Sequence, residues 1–261
     1  MKNNFIKWFI GFIDAEGNFQ IFPKVRKNKH TNQITSYGVG YGIHLGIHLR
    51  DAELIYYIQS IFDGIGHVYL YSEKEEAHFA ITKKDELRRF INIVITEHSL
   101  LTEHQSTRYK TLKFVLDNDI KIVRTLDEYN EIKNISWPTP DPFSKDHNHI
   151  NEWIVGFVNG EGSFGVYRNG TVYRFTIEHT DQRVLELIKI TLGLSLDVYV
   201  VKIREGRKQT YALTVSNTTD IDKVIKFFDN NESLKGYKLK QYNEFKIARS
   251  NNNEPRGNDT N

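Results

Sequence analysis

Two glutamates, Glu16 and Glu161, stand in the same local frame 145 positions apart. The first frame reads Trp8-Phe9-Ile10-Gly11-Phe12-Ile13-Asp14-Ala15-Glu16-Gly17-Asn18-Phe19. The second reads Trp153-Ile154-Val155-Gly156-Phe157-Val158-Asn159-Gly160-Glu161-Gly162-Ser163-Phe164. Six of the twelve positions are identical, against a chance identity of roughly one in fifteen per position. The chain is a tandem duplication, and one carboxylate closes each copy. Phe5, Ile6, Trp8, Phe9, Ile10, Phe12 and Ile13 make the first copy apolar nearly all round, the pattern of a buried helix. Gly17 and Gly162 stand where a C′ glycine would stop such a helix. That leaves both glutamates at the negative end of a helix dipole, where an anion is disfavoured. Gly11 and Gly156 lie in mid-helix, at a cost of about 1 kcal/mol relative to Ala. Close approach of two helices, the two copies themselves, is the simplest reason to keep them. Packed so, the two carboxylates would repel, and a hard divalent cation on oxygen ligands would relieve them. An acid before a helix-ending glycine is often only structural, but the doubled glycine and aromatic frame outweighs that reading.

The elements that position these acids repeat as well. After the first copy, residues 18–25 and 38–49 alternate like paired strands, and Asp51 caps a helix carrying Leu54, Ile55, Ile58, Ile61 and Phe62. Strands are expected at 67–71 and 77–82, then a helix with Leu87, Phe90, Ile91 and Val94, then a last helix over 105–116. The second half repeats the order, with strands at 163–168 and 171–178 and a helix after Asp181. Strands at 198–204 and 209–215 and helices at 220–228 and 237–247 complete it. The expected class is α+β: two pseudo-symmetric αββαββα repeats, closed by a further helix. Each has a four-stranded antiparallel saddle sheet, and the motif helices pack them together. The repeats span 1–118 and 149–249. Between them, 119–148 has no counterpart; it holds a short helical pattern (Leu126, Tyr129, Ile132) and three of the five prolines, which suits an extended connector. The polar, Asn-rich stretch 250–261 reads as a disordered tail.

Bulk properties bound the function. The 261 residues accommodate two domains of about 120 residues. There is no apolar run of about 18 residues to span a membrane, and the first residues lack a signal-peptide pattern. With no cysteine, disulfides, thiolate metal sites and a Cys nucleophile are excluded. A net charge of +2 is modest and does not by itself suggest nucleic acid. Richness in Asn, Lys, Ile, Tyr and Phe suits an AT-rich organellar coding genome, mitochondrial first and chloroplast as the alternative.

Residues Phe9 to Gly17 and Ile154 to Gly162 resemble the two motifs of a double-motif, monomeric LAGLIDADG homing endonuclease. The resemblance covers nearly the whole chain. It implies that Glu16 and Glu161, at the eighth motif position, are the metal-binding catalytic acids, assisted by the carbonyls of Ala15 and Gly160. Asp14 fits the usually acidic sixth position, whereas Asn159 departs from it; that position tends to be structural. The implied cofactor is Mg²⁺, with Mn²⁺ or Ca²⁺ able to take the same sites. The implied partner is a long asymmetric double-stranded DNA, with host intron RNA as a second candidate and no membrane. Basic or polar groups near the reacting water would be Lys238, its counterpart His104 (aligning 234–239 with 100–105), and His179, whose first-half equivalent is Leu49.

The strand faces agree with a DNA partner. One face of the first half carries Asn18, Gln20, Phe22, Lys24 and Arg26, with His44, His48, Tyr69 and Tyr71 on the following strands. The second half offers Ser163, Tyr167, Asn169, Arg174, Thr176, Glu178, Lys202 and Arg204. A solvated sheet face alternates in this way without any function. The excess of amide, basic and aromatic groups over acids is what favours base reading, because Arg and Lys suit guanine, Asn and Gln suit adenine, and a β-ribbon fits the major groove. Three functions remain. A site-specific endonuclease needs both acids. A splicing maturase of the same fold often loses them. A DNA-binding regulator would leave the carboxylate pair unexplained.

Overall fold

The computed structural model describes residues 2–95, 98–145, 147–168, 170–203, 206 and 208–251. Along the chain come α1 (Lys2–Glu16), β1 (Gly17–Lys27), β2 (Ile34–His48), α2 (Ala52–Ile61), β3 (His67–Tyr71), β4 (Glu76–Ile81), α3 (Lys84–Val94), α4 (Glu103–Asp117), β5 (Ile122–Val123) and α5 (Leu126–Lys133). Then follow α6 (Ile150–Glu161), β6 (Gly162–Tyr167), β7 (Val172–His179), α7 (Gln182–Leu192), β8 (Tyr199–Val200), β9 (Tyr211–Val215), α8 (Thr218–Asp229) and α9 (Gly236–Asn251). The class is α+β with two antiparallel sheets, as the duplicated pattern requires. The chain divides into two compact units, one of residues 16–144 and one joining residues 3–15 to residues 145 onward. The first motif helix therefore clusters with the second half rather than with the 1–118 repeat expected for it.

In the unit of residues 16–144 the strands lie in the order β1-β2-β4-β3. Period-2 alternation sends Phe19, Ile43, Leu45, Phe79 and Ile81 to one face, where all are buried. Helices α2 and α3 bring Ile55, Ile58, Phe90 and Val94 into the same core, with the Phe62 and Phe90 rings 5.1 Å apart. The connector is not an extended spacer throughout. β5 pairs with β2, and α5 lays Tyr129 against Val39, Val115 and Val123. The Tyr129 hydroxyl donates to the Ile21 carbonyl at 2.9 Å. The proline stretch then runs along α4, where Trp137 Nε1 donates to Thr111 Oγ1 at 2.9 Å. The connector's Tyr and Trp each bury an apolar body while finding a polar partner, which holds the segment to the sheet and to α4.

In the other unit α1 and α6 cross at their glycines. A Cβ on Gly11 would meet the Trp153 carbonyl, with the carbonyl carbon 2.7 Å and Phe157 N 2.9 Å away. A Cβ on Gly156 would meet the Trp8 carbonyl, with Phe12 N at 2.8 Å. Both obstacles are backbone, so only glycine permits this approach. The sheet order is β6-β7-β9-β8, and Phe164 centres its core, 5.1–5.5 Å from the rings of Phe175, Phe228, Tyr242 and Phe245. Burying such a side chain contributes about 1.5–3 kcal/mol. Of the expected strand 198–204 the described residues form Tyr199–Val200; beyond it the Val201 N–H still donates to the Thr210 carbonyl at 3.0 Å, and Gln209 Nε2 donates to the Val201 and Thr210 carbonyls at 2.7 Å each. The expected tail does not begin at 250: Ser250 and Asn251 close α9, and the rest of that expected stretch, 252–261, lies outside the described residues.

One glycine reading is corrected. Gly162 has φ −77° and ψ 157°, an extended residue and not a left-handed cap. The helix passes directly into a strand, and a Cβ there would stand 2.5 Å from Val158 Cγ1 and 2.7 Å from its carbonyl oxygen. Lack of room, not backbone handedness, selects glycine.

Candidate functional site

Glu16 is the last residue of α1 and Glu161 the last of α6, and each is half-buried. Ala15 and Gly160 precede them, also half-buried, so each half offers one carboxylate and one carbonyl at a helix end. The sixth motif position is structural. Asp14 is 1 % exposed and its Oδ2 accepts from Trp153 Nε1 at 3.1 Å. Asn159 instead accepts the Lys235 backbone N–H at 2.6 Å. Trp8 Nε1, the counterpart of Trp153 Nε1, is buried and has no hydrogen-bond partner among the described residues.

The last helix of each half reaches back to the residue after the acid. Lys238 Nζ donates to the Gly162 carbonyl, and Gln105 Nε2 donates to the Gly17 carbonyl. The counterpart of Lys238 is therefore Gln105, which is buried, and not His104, which is exposed. The same offset pairs Tyr109 with Tyr242, whose rings lie 5.7 Å and 5.3 Å from the equivalent Phe19 and Phe164. Those aromatic repeats were the signal in the sequence that would have corrected the alignment by one residue. Three residues on, Arg108 stands where the second half has Gln241. Arg108 Nη1 donates to Asn18 Oδ1 at 2.8 Å, and burial lowers its guanidinium pKa. Arg108 and Gln105 thus stand with the candidate site, and neither was marked by spacing along the chain.

His179 lies on the core side of β7. Its ring centroid is 5.3 Å from that of Phe157, its Nδ1 accepts from the Asp181 N–H at 3.0 Å, and burial lowers its pKa. Register places Ile47, not Leu49, at the equivalent strand position, since Gly17 pairs Leu45 and Gly162 pairs Ile177. An aliphatic side chain faces the core there, so the two halves still differ.

The polar faces assemble as strand alternation requires. Asn18 pairs with His44, Gln20 with Gly42, Phe22 with Gly40, Lys24 with Gly38 and Arg26 with Ser36. The glycines of β2 leave room for the long side chains of β1: a Cβ on Gly40 would strike the Phe22 ring. His48 pairs with Glu76, and Tyr69 and Tyr71 face His78 and Glu76 across β3 and β4. In the second half Ser163 pairs with Thr176 and Gly165 with Arg174, and the Arg174 guanidinium lies 5.2 Å from the Tyr167 ring centroid. Glu178 accepts from Thr210 Oγ1 at 2.6 Å. Lys202 is exposed just past β8, outside the regular ladder. Asn169 and Arg204 lie outside the described residues. No described helix is long and apolar enough to cross a membrane.

The LAGLIDADG endonuclease model matches residues 9–116 and 154–249 of the chain. Probable intron-encoded endonuclease 3 of Neurospora crassa is 26 % identical over 262 residues, covering 89 % of this chain and 47 % of its own length. Probable intron-encoded endonuclease aI3 of Dictyostelium citrinum is 28 % identical over 175 residues, 67 % of this chain and 68 % of its own. The chain thus spans about half the length of the Neurospora relative. Among solved structures, meganuclease I-SmaMI bound to uncleavable DNA has a TM-score of 0.73 at 24 % identity, over 95 % of this chain and 90 % of that one. I-SmaMI bound to an uncleaved DNA target in the presence of calcium ions has a TM-score of 0.69 at 23 % identity, over 95 % and 92 %. At these identities the likeness establishes the fold.

Proposed function

This chain belongs to the LAGLIDADG endonuclease family, and on that premise we propose that it is a site-specific double-strand DNA endonuclease. It acts as a monomer on one long asymmetric target, because both motif copies lie on one polypeptide and their sheet faces differ; a single-copy chain would need a two-fold dimer. One observation carries the reading. Each half ends a motif helix on one carboxylate, launches a strand with a polar face directly from it, and bonds a long polar side chain to the carbonyl one residue past the acid.

The donor set fits a hard divalent cation. Glu16 with the Ala15 carbonyl, and Glu161 with the Gly160 carbonyl, offer oxygen alone, as Mg²⁺ requires. Among the described residues no three His, Asp or Glu side chains gather as a metal cluster; water and substrate phosphate would complete the ligands of an ion held there. Bound there, Mg²⁺, or Mn²⁺ or Ca²⁺ on the same atoms, would neutralise phosphate charge and lower the pKa of water. The reaction adds water across a phosphodiester: the water oxygen bonds to phosphorus, the bond to the leaving oxygen breaks, and that oxygen gains a proton. Lys238 places a cation beside one helix end to stabilise the charge that builds on phosphate. Gln105, buried, holds the equivalent Gly17 carbonyl and so fixes the chain directly after Glu16. Asn18, Gln20 and Arg174 match base edges, while Lys24, Arg26 and Lys202 suit phosphates. Relatives named intron-encoded endonucleases support an intron-encoded origin, and we assign it to a mitochondrial intron, with chloroplast as the alternative.

The test is incubation with Mg²⁺ and a supercoiled plasmid carrying the intronless insertion site. Linear product with one break per strand is expected. Binding to the host intron RNA with no cut in DNA would replace this reading with the maturase one.

A further inference from the structure

A chain of three side chains crosses the polar face of the first sheet. His44 Nε2 and His78 Nδ1 are 2.9 Å apart, and His78 Nε2 and Glu76 Oε2 are 2.9 Å apart. The Tyr71 ring braces His78 at 4.9 Å. An ionised carboxylate only accepts hydrogen bonds, so His78 Nε2 carries a hydrogen. In neutral His78 the other nitrogen is then bare and accepts from His44 Nε2–H. Neutral His44 has no second hydrogen, so its Nδ1 is an acceptor. No described residue bonds that atom, whereas the corresponding nitrogen of His48 is used internally by the Arg50 N–H at 3.2 Å. A single added proton on His78 reverses every link: His78 Nδ1 donates, His44 Nε2 accepts, and His44 Nδ1 becomes a donor.

We propose that His44, half-buried on the polar face, is a specificity-determining residue whose Nδ1 selects an amino-bearing base, adenine or cytosine, and that one proton taken up by the chain turns that preference toward guanine or thymine. The inference rests on the DNA reading above. It follows from the major-groove code, in which only adenine and cytosine offer amino donors, while guanine and thymine offer carbonyl acceptors and both purines also offer N7. Other groups face the chain from neighbouring strands. They are Asn18, which holds Arg108, on β1; His48 on β2; and His67, Tyr69 and Tyr71 on β3. Burial, with the repulsion of His78, lowers the His44 pKa.

Two measurements test it. Long-range ¹H–¹⁵N spectra of the histidine-labelled protein at pH 8, assigned with His44→Gln, should show hydrogen on Nε2 and none on Nδ1 at both His44 and His78. A protonated Nδ1 on His44 overturns the proposal whether or not the protein cuts DNA. In the second, duplexes selected from a random library in Ca²⁺ are varied base by base. One position should prefer adenine or cytosine by about tenfold at pH 8, the scale of one good base contact, and lose that preference at pH 5.5. His44→Ala should flatten that position alone. Glu76→Gln, whose amide can donate or accept, should reduce it below about twofold and remove its pH dependence. Unchanged preferences in both variants would overturn the proposal, and failure to select any duplex would overturn the DNA reading together with it.

Discussion

Helices α4 and α9 occupy equivalent places in the two halves and carry the same inventory, one amide and one cation, in opposite order. Position 105/238 holds Gln then Lys, and position 108/241 holds Arg then Gln. The cation has moved by three residues, about 4.5 Å along the helix. In the second half it touches the carbonyl beside Glu161; in the first it rests on Asn18, at the start of the polar face. Charge near each acid is thus maintained while its reach differs. Duplication kept one cation near each acid and not its position, so on the endonuclease reading proposed above the two strands of a target should be cut at different rates. The motif helices tell a similar story. Asp14 satisfies Trp153, while Asn159 turns to the Lys235 backbone and Trp8 Nε1 goes unpaired among the described residues.

The largest effect tests what the halves share. Glu16→Gln and Glu161→Gln should each lower double-strand cleavage by about 10³-fold or more, roughly 4 kcal/mol, with duplex affinity nearly intact. Near-normal cutting of both strands by either variant would remove that glutamate from the site. Next comes the crossing. Gly11→Ala gains about 1 kcal/mol of helix propensity but drives a methyl into the Trp153 backbone. Urea denaturation should show a net loss of about 3 kcal/mol, at the upper end of overpacking costs; an unchanged midpoint would mean the helices do not approach so closely. Lys238→Met then addresses the asymmetry directly. Single-turnover nicking at saturating protein should slow on one strand by about 10²-fold, as for other electrostatic groups. Weaker binding with unchanged rates on both strands would mark Lys238 as a phosphate clamp only. The smallest effect is Asn159→Asp. A second acceptor oxygen should pair Trp8 as Asp14 pairs Trp153, moving the Trp8 indole N–H resonance downfield while stability shifts by no more than about 1 kcal/mol. No shift of that resonance would show that the two sixth positions are not interchangeable.

Much of this was legible in one dimension. Identity between the two copies marks the duplication and both glutamates. Period-2 alternation assigns Asn18, Gln20, Lys24 and Arg26 to one face, and the mid-helix glycines announce a crossing. These features are local or repeated, so spacing along the chain suffices to find them. Other features depended on how separate segments meet. A shift of one residue in aligning α4 with α9 turns a helix position by about 100°, which separates exposed His104 from buried Gln105. The connector carries a weak helical pattern, and only β5 pairing with β2 and the Tyr129 contact show that it belongs to the first sheet. Gly162 satisfies the sequence rule for a helix stop, yet its extended backbone shows that crowding by Val158 is the cause. The His44–His78–Glu76 chain joins residues 34 apart through the register of β2 with β4. Side-chain types along a strand do not encode which strand lies beside it, because pairing is chosen by burial of the whole opposite face.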